Sequence, residues 1–384
     1  MEKGDVLIVS SEFPPGPGGI GNHAFSLASA LHKSGRRVSV ISNGDYADGG
    51  NIDSFDAAQP FPIRRFRRKG PLTQVLRCID LVRTLSQTRH THVIITGLFP
   101  IWMLPLVALH PSRPRRHVVI HGHEPIFGSK ISKWITALAL RFAHALYPVS
   151  RFSASNLPKA LREKKELHVI PNGIDIGMLE TYPRDDVGMK LEGNPVLLTV
   201  GHTSPRKGQH RVIKALPEIL KRKPGAVYHI VGRDVNNRGL MELAGQLGVT
   251  GSVRFHPPVF PHDRLGSLYS FADVFMLLSE NQPNGDVEGF GIVALEANFF
   301  GVPVIGAKGC GVEDAVADGR SGLLVDGDDA IQVAEAVSRM MDETDLAKEP
   351  ESWAREHDWS IIGEIFLRQL DRRRTDSTPI GLIG

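Results

Sequence analysis

Two carboxylates, Glu288 and Glu296, bracket the segment GFGIVAL, which carries no other charge. Glu296 is also the only ionisable residue from Gly289 to Ala307, a run whose pattern predicts a helix followed by a buried strand. A carboxylate is costly to bury in such surroundings unless hydrogen-bond donors reach it. The alternative is a solvated or helix-capping glutamate. We expect cleft carboxylates that accept hydrogen bonds from the hydroxyls of a sugar or a ribose.

Adjacent cations form a second candidate site, in the turn GHTSPRKG that ends with Gly208. The forked guanidinium of Arg206 and the point charge of Lys207 suit a pyrophosphate. A helix N-terminus after Glu288 offers further backbone amides to the same group, at residues 290–292 (Phe290, Gly291 and Ile292). We therefore expect these cations and the helix dipole to neutralise a diphosphate without a metal ion or other cofactor.

The run His121-Gly122-His123-Glu124 ends a predicted strand of the first half. Two histidines and a glutamate could ligate a metal, but no third cluster of matching type accompanies them. The preferred interpretation is that these histidines line a cleft and contact sugars. The remaining alternative is a satisfied structural histidine.

The glycine-rich turn GPGGIG at residues 16–21 matches the dinucleotide pattern G-x-G-x-x-G. In a dinucleotide site the first glycine closes the strand-to-helix turn directly, whereas five residues with two prolines intervene here. A nicotinamide-dependent oxidoreductase, with Asp45 on the ribose, is therefore only the alternative. We expect backbone N–H groups at this glycine-rich helix N-terminus to approach a phosphate or a sugar.

The element pattern predicts an α/β fold. Strand-like runs recur at 6–10, 38–42, 93–97, 118–122, 146–150 and 167–171, then restart at 196–201, 227–232, 253–256, 274–279, 302–306 and 322–325. Helical patterns separate them, among them 21–33, 72–88, 130–144 and 153–161. Such alternation argues for parallel sheets covered on both faces, with ligands outside the carboxyl ends of the strands.

Two doubly wound domains in tandem are therefore expected, at residues 1–178 and 179–355, with the break near 176–194. A last helical pattern covers residues 360–374. The chain has 384 residues, 41 % of them apolar and 23 % charged, as in ordinary globular proteins. No stretch approaches the roughly 20 apolar residues that span a bilayer. We expect a cytoplasmic protein.

Charge is unevenly distributed. Residues 1–180 hold 23 Lys and Arg against 13 Asp and Glu, a net charge of +10, whereas the remainder holds 22 against 29, a net charge of −7. The basic excess is clustered at Arg64, Arg65, Arg67, Arg68 and Lys69, and at Arg113, Arg115 and Arg116. The clusters lie either in solvated loops or on a surface that binds anionic lipid headgroups. In the second case the protein is peripheral, on the inner face of the cell membrane. They lack a nucleic-acid-binding motif, so no nucleic-acid partner is expected.

Taken together, the motifs resemble those of the retaining glycosyltransferases of family 4, which have the two-Rossmann-domain architecture called GT-B. The resemblance is strongest in the second half, where VGHTSPRKG, IVGRD, VRFHPPV, LYSFADVFMLLS, EGFGIVALEA, GVPVIGA and DGRSGLLVD occur in the family's order. PNGID and the opening SSEFPPGPGGIG also fit.

The resemblance implies a role for each matching residue. Glu296 is similar to the glutamate that holds the donor ribose, and Glu288 to the one that contacts the transferred sugar. Lys207 matches the lysine on the donor diphosphate, and Gly19 the glycine whose amide approaches it. His121 is similar to the histidine beside the donor sugar, and Asn22 and His123 are then expected on the acceptor side. The resemblance also implies a hinge near 176–194 and a last helix, at 360–374, that packs back on the first domain.

One position departs from the family pattern. Many members have arginine where this chain has His202, so either Arg206 replaces that charge or His202 supplies a weaker, pH-sensitive contact. The nucleobase contacts stay open as well, because the turn at Arg233, Asp234 and Val235 is altered.

The resemblance implies transfer of a sugar from a nucleoside-diphosphate sugar to an acceptor hydroxyl with the anomeric configuration kept. No enzyme nucleophile is implied; the departing diphosphate oxygen takes the acceptor's proton on the same face. We expect a glycan or a lipid-linked saccharide as acceptor, in cell-surface polysaccharide, lipopolysaccharide or glycolipid synthesis. A nucleotide-sugar epimerase of the same architecture is a further alternative.

Overall fold

The computed structural model describes residues 5–16, 18–44, 49–66, 72–184, 191–259 and 264–372. Its first lobe is built on seven strands: β1 Asp5–Ser10, β2 Val38–Asn43, β3 Ile63–Phe66, β4 His90–Thr96, β5 Arg115–Ile120, β6 Ala145–Pro148 and β7 Glu166–Leu167. They form one parallel sheet in the order β3-β2-β1-β4-β5-β6-β7.

The second lobe repeats the plan with six strands: β8 Val196–Val200, β9 Val227–Val231, β10 Val253–His256, β11 Val274–Leu277, β12 Val304–Ala307 and β13 Gly322–Val325. They also pair in parallel, in the order β10-β9-β8-β11-β12-β13. The predicted α/β class with two doubly wound sheets in tandem is confirmed.

Helices connect the strands. The first lobe has α1 Gly19–Lys33, α2 Gly49–Ala57, α3 Thr73–Gln87, α4 Leu98–Trp102, α5 Leu104–Leu109, α6 Lys130–Leu140, α7 Arg151–Ser155, α8 Lys159–Lys164 and α9 Ile176–Leu179. The remainder of the chain has α10 Gln209–Arg222, α11 Asn237–Gln246, α12 Leu265–Ser270, α13 Ile292–Phe299, α14 Val312–Ala315, α15 Ala330–Asp342, α16 Pro350–Arg355 and α17 Trp359–Asp371. None of the helices within the described residues has the length and apolar character needed to cross a membrane.

Some elements differ from the sequence expectation. The helix expected at 153–161 is two short helices, α7 and α8, because Pro158 interrupts the pattern. The strand expected at 167–171 is only the short β7 at the sheet edge. Strand β3 was not predicted, since its sequence IRRF was interpreted as part of a basic cluster.

The sheet order places the loops of interest side by side. In each lobe the order reverses next to the first strand, between β1 and β4 and between β8 and β11. At such a switch point the loops after the two strands diverge and leave a crevice. The glycine-rich turn follows β1, and the turn with Arg206 and Lys207 follows β8.

The last helix, α17, leaves the second lobe and packs on the first. Phe366 is buried with its ring centroid 4.6 Å from that of Tyr147 in β6. A Cβ on Gly363 would come within 2.6 Å of the Ala30 side chain in α1, so the two helices approach closely. Arg36 also pairs with Asp371. The expected helix at 360–374 lies within this segment, except that residues 373–374 fall outside the described residues.

Candidate active site

The two lobes touch where β5 ends and where the segment before α13 passes. The carbonyl of Gly289 accepts hydrogen bonds from Ser150 Oγ at 2.7 Å and Ser153 Oγ at 3.2 Å. A Cβ on Gly289 would lie 1.7 Å from the carbonyl oxygen of His121. Only glycine allows this approach without a shift of the backbone. The contact brings predicted residues of both lobes to one cleft.

Three charged side chains meet in this cleft. Lys207 Nζ lies 2.8 Å and Arg206 Nη1 2.5 Å from Oε2 of Glu288. Arg206 Nε also lies 3.1 Å from Asp286. The sequence predicted each of these cations and Glu288 as site residues, and the structure brings them together.

A tight turn presents the two cations. Arg206 and Lys207 occupy a 3₁₀ turn, Pro205–Lys207, which Gly208 ends in the left-handed conformation with φ 74°. A Cβ on Gly208 would lie 1.8 Å from the carbonyl oxygen of Leu278, at the end of β11. Two constraints therefore require glycine at this position: the positive φ and the close approach to Leu278.

The charges of this cluster shift the pKa values of Glu288 and His202. Burial raises the pKa of Glu288, but Lys207 and Arg206 outweigh it and the net pKa is lowered, so the carboxylate is ionised at neutral pH. The pKa of His202 is lowered by burial and then by Arg206 and Lys207. At neutral pH, Lys207 and Arg206 are therefore the cations beside Glu288, while His202 is neutral.

Glu296 lies in the second turn of α13, which begins after Gly291 in the left-handed conformation. Tyr269 Oη donates a hydrogen bond to Glu296 Oε2 at 2.9 Å. Burial and the nearby Glu296 carboxylate raise the pKa of Tyr269, which keeps this phenol a donor. Phe290 is buried, so any ligand contact at this predicted residue is made by its backbone; Ile292 is half-buried beside it.

His121 closes the other side of the cleft. Its Nε2 lies 2.8 Å from Thr96 Oγ1, and its ring meets that of His23 edge-on at 5.0 Å. Burial, reinforced by His23, lowers the pKa of His121 to about 3. This histidine therefore acts as a neutral hydrogen-bonding group. Trp359 of α17 packs on His23 with ring centroids 5.1 Å apart, so the last helix supports this wall.

Glu124 was named only as part of a possible metal motif. Its fully buried carboxylate accepts hydrogen bonds from the backbone N–H groups of His121 and Gly122 at 3.0–3.1 Å. It thus fixes the turn that carries His121. The sequence did not predict this role, because residue types alone do not show which backbone amides a buried carboxylate will bind.

The glycine-rich turn lies at the mouth of a cavity of about 620 Å³ in the first lobe. A Cβ on Gly18 would clash with the Glu12 carboxylate at 2.0 Å, whereas one on Gly19 would meet no atom within 4 Å. Glu12 and His123 both line the cavity, and burial raises the pKa of Glu12 while His123 lowers it. Asn22, predicted on the acceptor side, is exposed on α1. Pro17 and Asp45 lie outside the described residues.

The metal-free diphosphate site was expected partly because an Asp-x-Asp pattern was thought absent, but one occurs at Asp326 and Asp328. Asp328 lies 2.7 Å from Arg211, and Asp326 accepts a hydrogen bond from the Asp328 amide at 3.0 Å. Within the described residues, no three His, Cys, Asp or Glu side chains gather in a metal-binding group.

Four arginines of the two basic clusters make contacts within the protein. Arg65 pairs with Asp56 at 2.6 Å, and Arg64 with Asp80 at 2.9 Å. Arg115 donates to the carbonyl of Arg372 at 2.7 Å, and Arg116 to that of Phe142 at the same distance. Arg67, Arg68 and Lys69 lie outside the described residues.

Comparison with known proteins covers both lobes. The family model described as glycosyl transferases group 1 matches residues 185–357, and the model described as glycosyltransferase family 4 matches residues 17–177. Among curated relatives, the GDP-mannose-dependent alpha-(1-6)-phosphatidylinositol monomannoside mannosyltransferase of Mycolicibacterium smegmatis is 29 % identical over 347 residues, which are 88 % of this chain and 89 % of the relative.

Solved structures share the fold. HepE of Anabaena, in complex with UDP and glucose, superposes with a TM-score of 0.74 at 22 % identity, covering 96 % of this chain and 99 % of that one. The sucrose-phosphate synthase of Thermosynechococcus elongatus has a TM-score of 0.76 at 20 % identity, with the same coverage.

Proposed function

The chain belongs to the group 1 glycosyltransferases, with the GT-B fold expected from its motifs, and from that premise we propose how its cleft transfers a sugar. The protein is a transferase of the hexosyltransferase class. The comparisons do not favour the nicotinamide-dependent and epimerase alternatives. The proposed reaction moves a sugar from a nucleoside diphosphate to an acceptor hydroxyl with retention of configuration.

The observation that carries this proposal is the meeting of Lys207, Arg206 and Glu288 opposite His121. Two cations at a turn after β8 suit the diphosphate of the donor, and they stabilise the negative charge that develops on the leaving group. The diphosphate takes over the cations that Glu288 holds in the free enzyme. Glu288 is then available to accept hydrogen bonds from hydroxyls of the transferred sugar.

The other residues position the donor. The amide of Gly19 approaches the diphosphate from the first lobe, where the structure leaves open space above it. Glu296, oriented by Tyr269, accepts hydrogen bonds from the ribose. His121, neutral in its buried setting, contacts the sugar by hydrogen bonding and not by charge. His202 and Arg206 share the place of the family's second cation, and the geometry favours Arg206.

We place the acceptor in the 620 Å³ cavity beside Glu12 and His123. The reacting hydroxyl then enters the cleft next to Gly19, and binding both substrates in one cleft supplies the orientation that the reaction needs. The departing diphosphate oxygen takes the acceptor's proton, so the sugar–phosphate bond breaks as the new glycosidic bond forms on the same face. No side chain of the enzyme forms a covalent bond with the sugar.

The names of the relatives suggest which substrates to test first. The Mycolicibacterium relative is named for GDP-mannose and for a phosphatidylinositol mannoside. We accordingly propose GDP-mannose as donor and a glycolipid as acceptor, at the inner face of the cell membrane. The cations of the cleft neutralise the diphosphate, so the reaction proceeds without a metal ion.

A thermal-shift panel of GDP-, UDP-, ADP- and dTDP-sugars tests the donor, because a bound donor raises the melting temperature according to its affinity. The preferred donor is then incubated with and without phosphatidylinositol mannoside, and released nucleoside diphosphate is measured in buffer with EDTA. Acceptor-dependent release in EDTA supports the proposal. Absence of any donor shift contradicts it, as does activity that appears only after Mg²⁺ is restored.

A further inference from the structure

Helix α3 exposes an apolar stripe to solvent. Its members recur at helical spacing and are between 38 % and 63 % exposed: Leu72, Val75, Leu76, Ile79 and Val82. The opposite side of the helix buries Leu81 and Leu85 in the core of the first lobe. An amphipathic helix normally buries its apolar side and presents a polar one to water. Here both sides are apolar, so the outer side requires a separate explanation.

Helix α6 and its flanks carry a second stripe of the same kind. Ile131 is 71 % and Trp134 66 % exposed, and they are accompanied by Phe127, Leu138 and Phe142. Leu109, at the end of α5, is 79 % exposed. Contiguous exposed apolar surface of this extent is unusual for a surface that faces only water.

The two stripes belong to one layer. Helices α3, α4, α5 and α6 bury their inner sides in the same core cluster, on one face of the first sheet. Ser86 Oγ of α3 lies 3.0 Å from His110 Nε2, just after α5, and Trp102 of α4 donates to Thr136 of α6 at 2.9 Å. We call the exposed residues of both stripes, together with Leu109, the α3–α6 face.

The charges around the α3–α6 face have one predominant sign. Residues 72–87 and 127–142 contain a single acidic residue, Asp80, and it pairs with Arg64. Exposed or half-buried cations in the same segments are Arg83, Lys130, Lys133 and Arg141. A second copy of this face would oppose cation to cation, whereas an anionic lipid surface complements both the charge and the apolar side chains.

The acceptor cavity adjoins this face. Thr73, Gln74 and Arg77 at the start of α3 line it, as does Phe127, which belongs to the face. A lipid whose acyl chains stay in a bilayer beneath the face could therefore place its polar headgroup in the cavity. Tryptophan and long cationic side chains are typical of protein surfaces at the headgroup level of a bilayer.

We propose that the α3–α6 face inserts into the headgroup region of an anionic bilayer and delivers the lipid-linked acceptor to the cavity. The acceptor part rests on the function proposed above, while the docking surface stands on its own geometry. The contact is made by apolar side chains of α3 and α6, with their lysines and arginines on the lipid phosphates. It does not depend on the arginines at 64–65 and 115–116, which are engaged within the protein.

The test uses flotation of the full chain with phosphatidylcholine vesicles, with and without phosphatidylglycerol. Two double variants replace apolar side chains of the α3–α6 face: I131S with W134S, and L76S with I79S. The matched control is I331S, which changes a 56 % exposed isoleucine in α15 of the second lobe. Each double variant is expected to lower the vesicle partition coefficient about tenfold or more, because partitioning scales with buried apolar area.

A third double variant tests the contribution of the lysines on α6. K130Q with K133Q is expected to lower the preference for phosphatidylglycerol vesicles by about fivefold per residue, since each basic residue near an anionic surface contributes about 1 kcal/mol. Failure of the wild type to float with anionic vesicles at low salt overturns the proposal. So does a dimer in sedimentation that I131S with W134S dissociates, because the face would then join two copies. Donor binding by thermal shift is measured on the same samples, which separates a failed docking surface from a failed donor site.

Discussion

The ammonium of Lys207 lies 2.8 Å from Oε2 of Glu288, and the guanidinium of Arg206 reaches the same oxygen. The free enzyme thus holds, on one of its own carboxylates, the two cations that we propose bind the donor diphosphate. Two adjacent cations without a counter-charge would repel each other in a half-buried cleft. Glu288 relieves that repulsion in the free enzyme, and in the proposed reaction the donor diphosphate displaces it.

Removing the lysine should separate catalysis from folding. K207A is expected to lower kcat by about 10²–10³-fold, because a preorganised group that stabilises leaving-group charge is lost. Arg206 still pairs with Glu288, so the melting temperature should change little. The control K214A removes an exposed lysine of α10 and should leave kcat unchanged. Near-normal turnover in K207A, measured as nucleoside diphosphate released, would falsify its role.

Replacing the carboxylate should have opposite effects on turnover and on product affinity. E288Q is expected to lower kcat about a hundredfold or more, since the sugar loses a positioning contact. The affinity for free nucleoside diphosphate should stay equal or rise, because the phosphates no longer compete with Glu288 for Lys207 and Arg206. Calorimetric titration measures it. A marked loss of diphosphate affinity would show that Glu288 does not compete for these cations.

The open space above Gly19 makes a further distinction possible. G19A is expected to leave the melting temperature of the free enzyme unchanged, because an added Cβ meets no atom within 4 Å. The donor KM should rise about tenfold or more if the amide approaches the diphosphate closely, as glycine-rich helix N-termini do. An unchanged KM would place the donor elsewhere.

The contact between Gly289 and His121 should govern how the lobes fit together. In G289A the new methyl group would lie 1.7 Å from the His121 carbonyl oxygen, so the lobes must shift apart. We expect kcat to fall about tenfold or more through misalignment of the donor. G251A, where nothing lies within 4 Å of the added Cβ, is the control. Equal activity of the two variants would contradict a tight contact.

Acid should destabilise the protein through its buried histidines. Burial lowers the pKa of His23 to about 3, from an ordinary value near 6.5. Between these two values the unfolded chain binds a proton that the folded chain does not, so the free energy of unfolding falls as the pH falls. One such group contributes about 1.4 kcal/mol per pH unit. H23F should therefore lose less stability than the wild type between pH 6.5 and about 4 in chemical denaturation. Identical slopes would be inconsistent with a buried neutral His23.

The sequence predicted every strand except β3, and it placed Arg206, Lys207 and Glu288 among the candidate site residues. Strands such as β8 and β10 are short apolar runs ended by turn residues, which is a local property of the chain. Strand β3 was missed because two of its four residues are arginines, and their partners Asp56 and Asp80 are distant contacts that spacing does not show.

Other parts of the site depend on tertiary packing. Tyr269 and Glu296 are 27 residues apart, so their hydrogen bond exists only once α12 lies beside α13. Phe290 was expected to touch the donor, but its side chain fills the core, since periodicity around a single turn does not tell which side is buried. The apolar residues of α3 can be read from the sequence, but their exposure cannot. It depends on which side of the helix packs on the sheet.

Helix α17 gives the first lobe an unusual assembly order. Asp371 meets Arg36 across a sequence separation of 335 residues, and Phe366 packs beside β6. A ribosome must therefore translate the entire second lobe before the first can cover that hydrophobic surface, although amino-terminal domains commonly fold as units during synthesis. Until then the nascent chain keeps apolar residues such as Tyr147 within reach of chaperones.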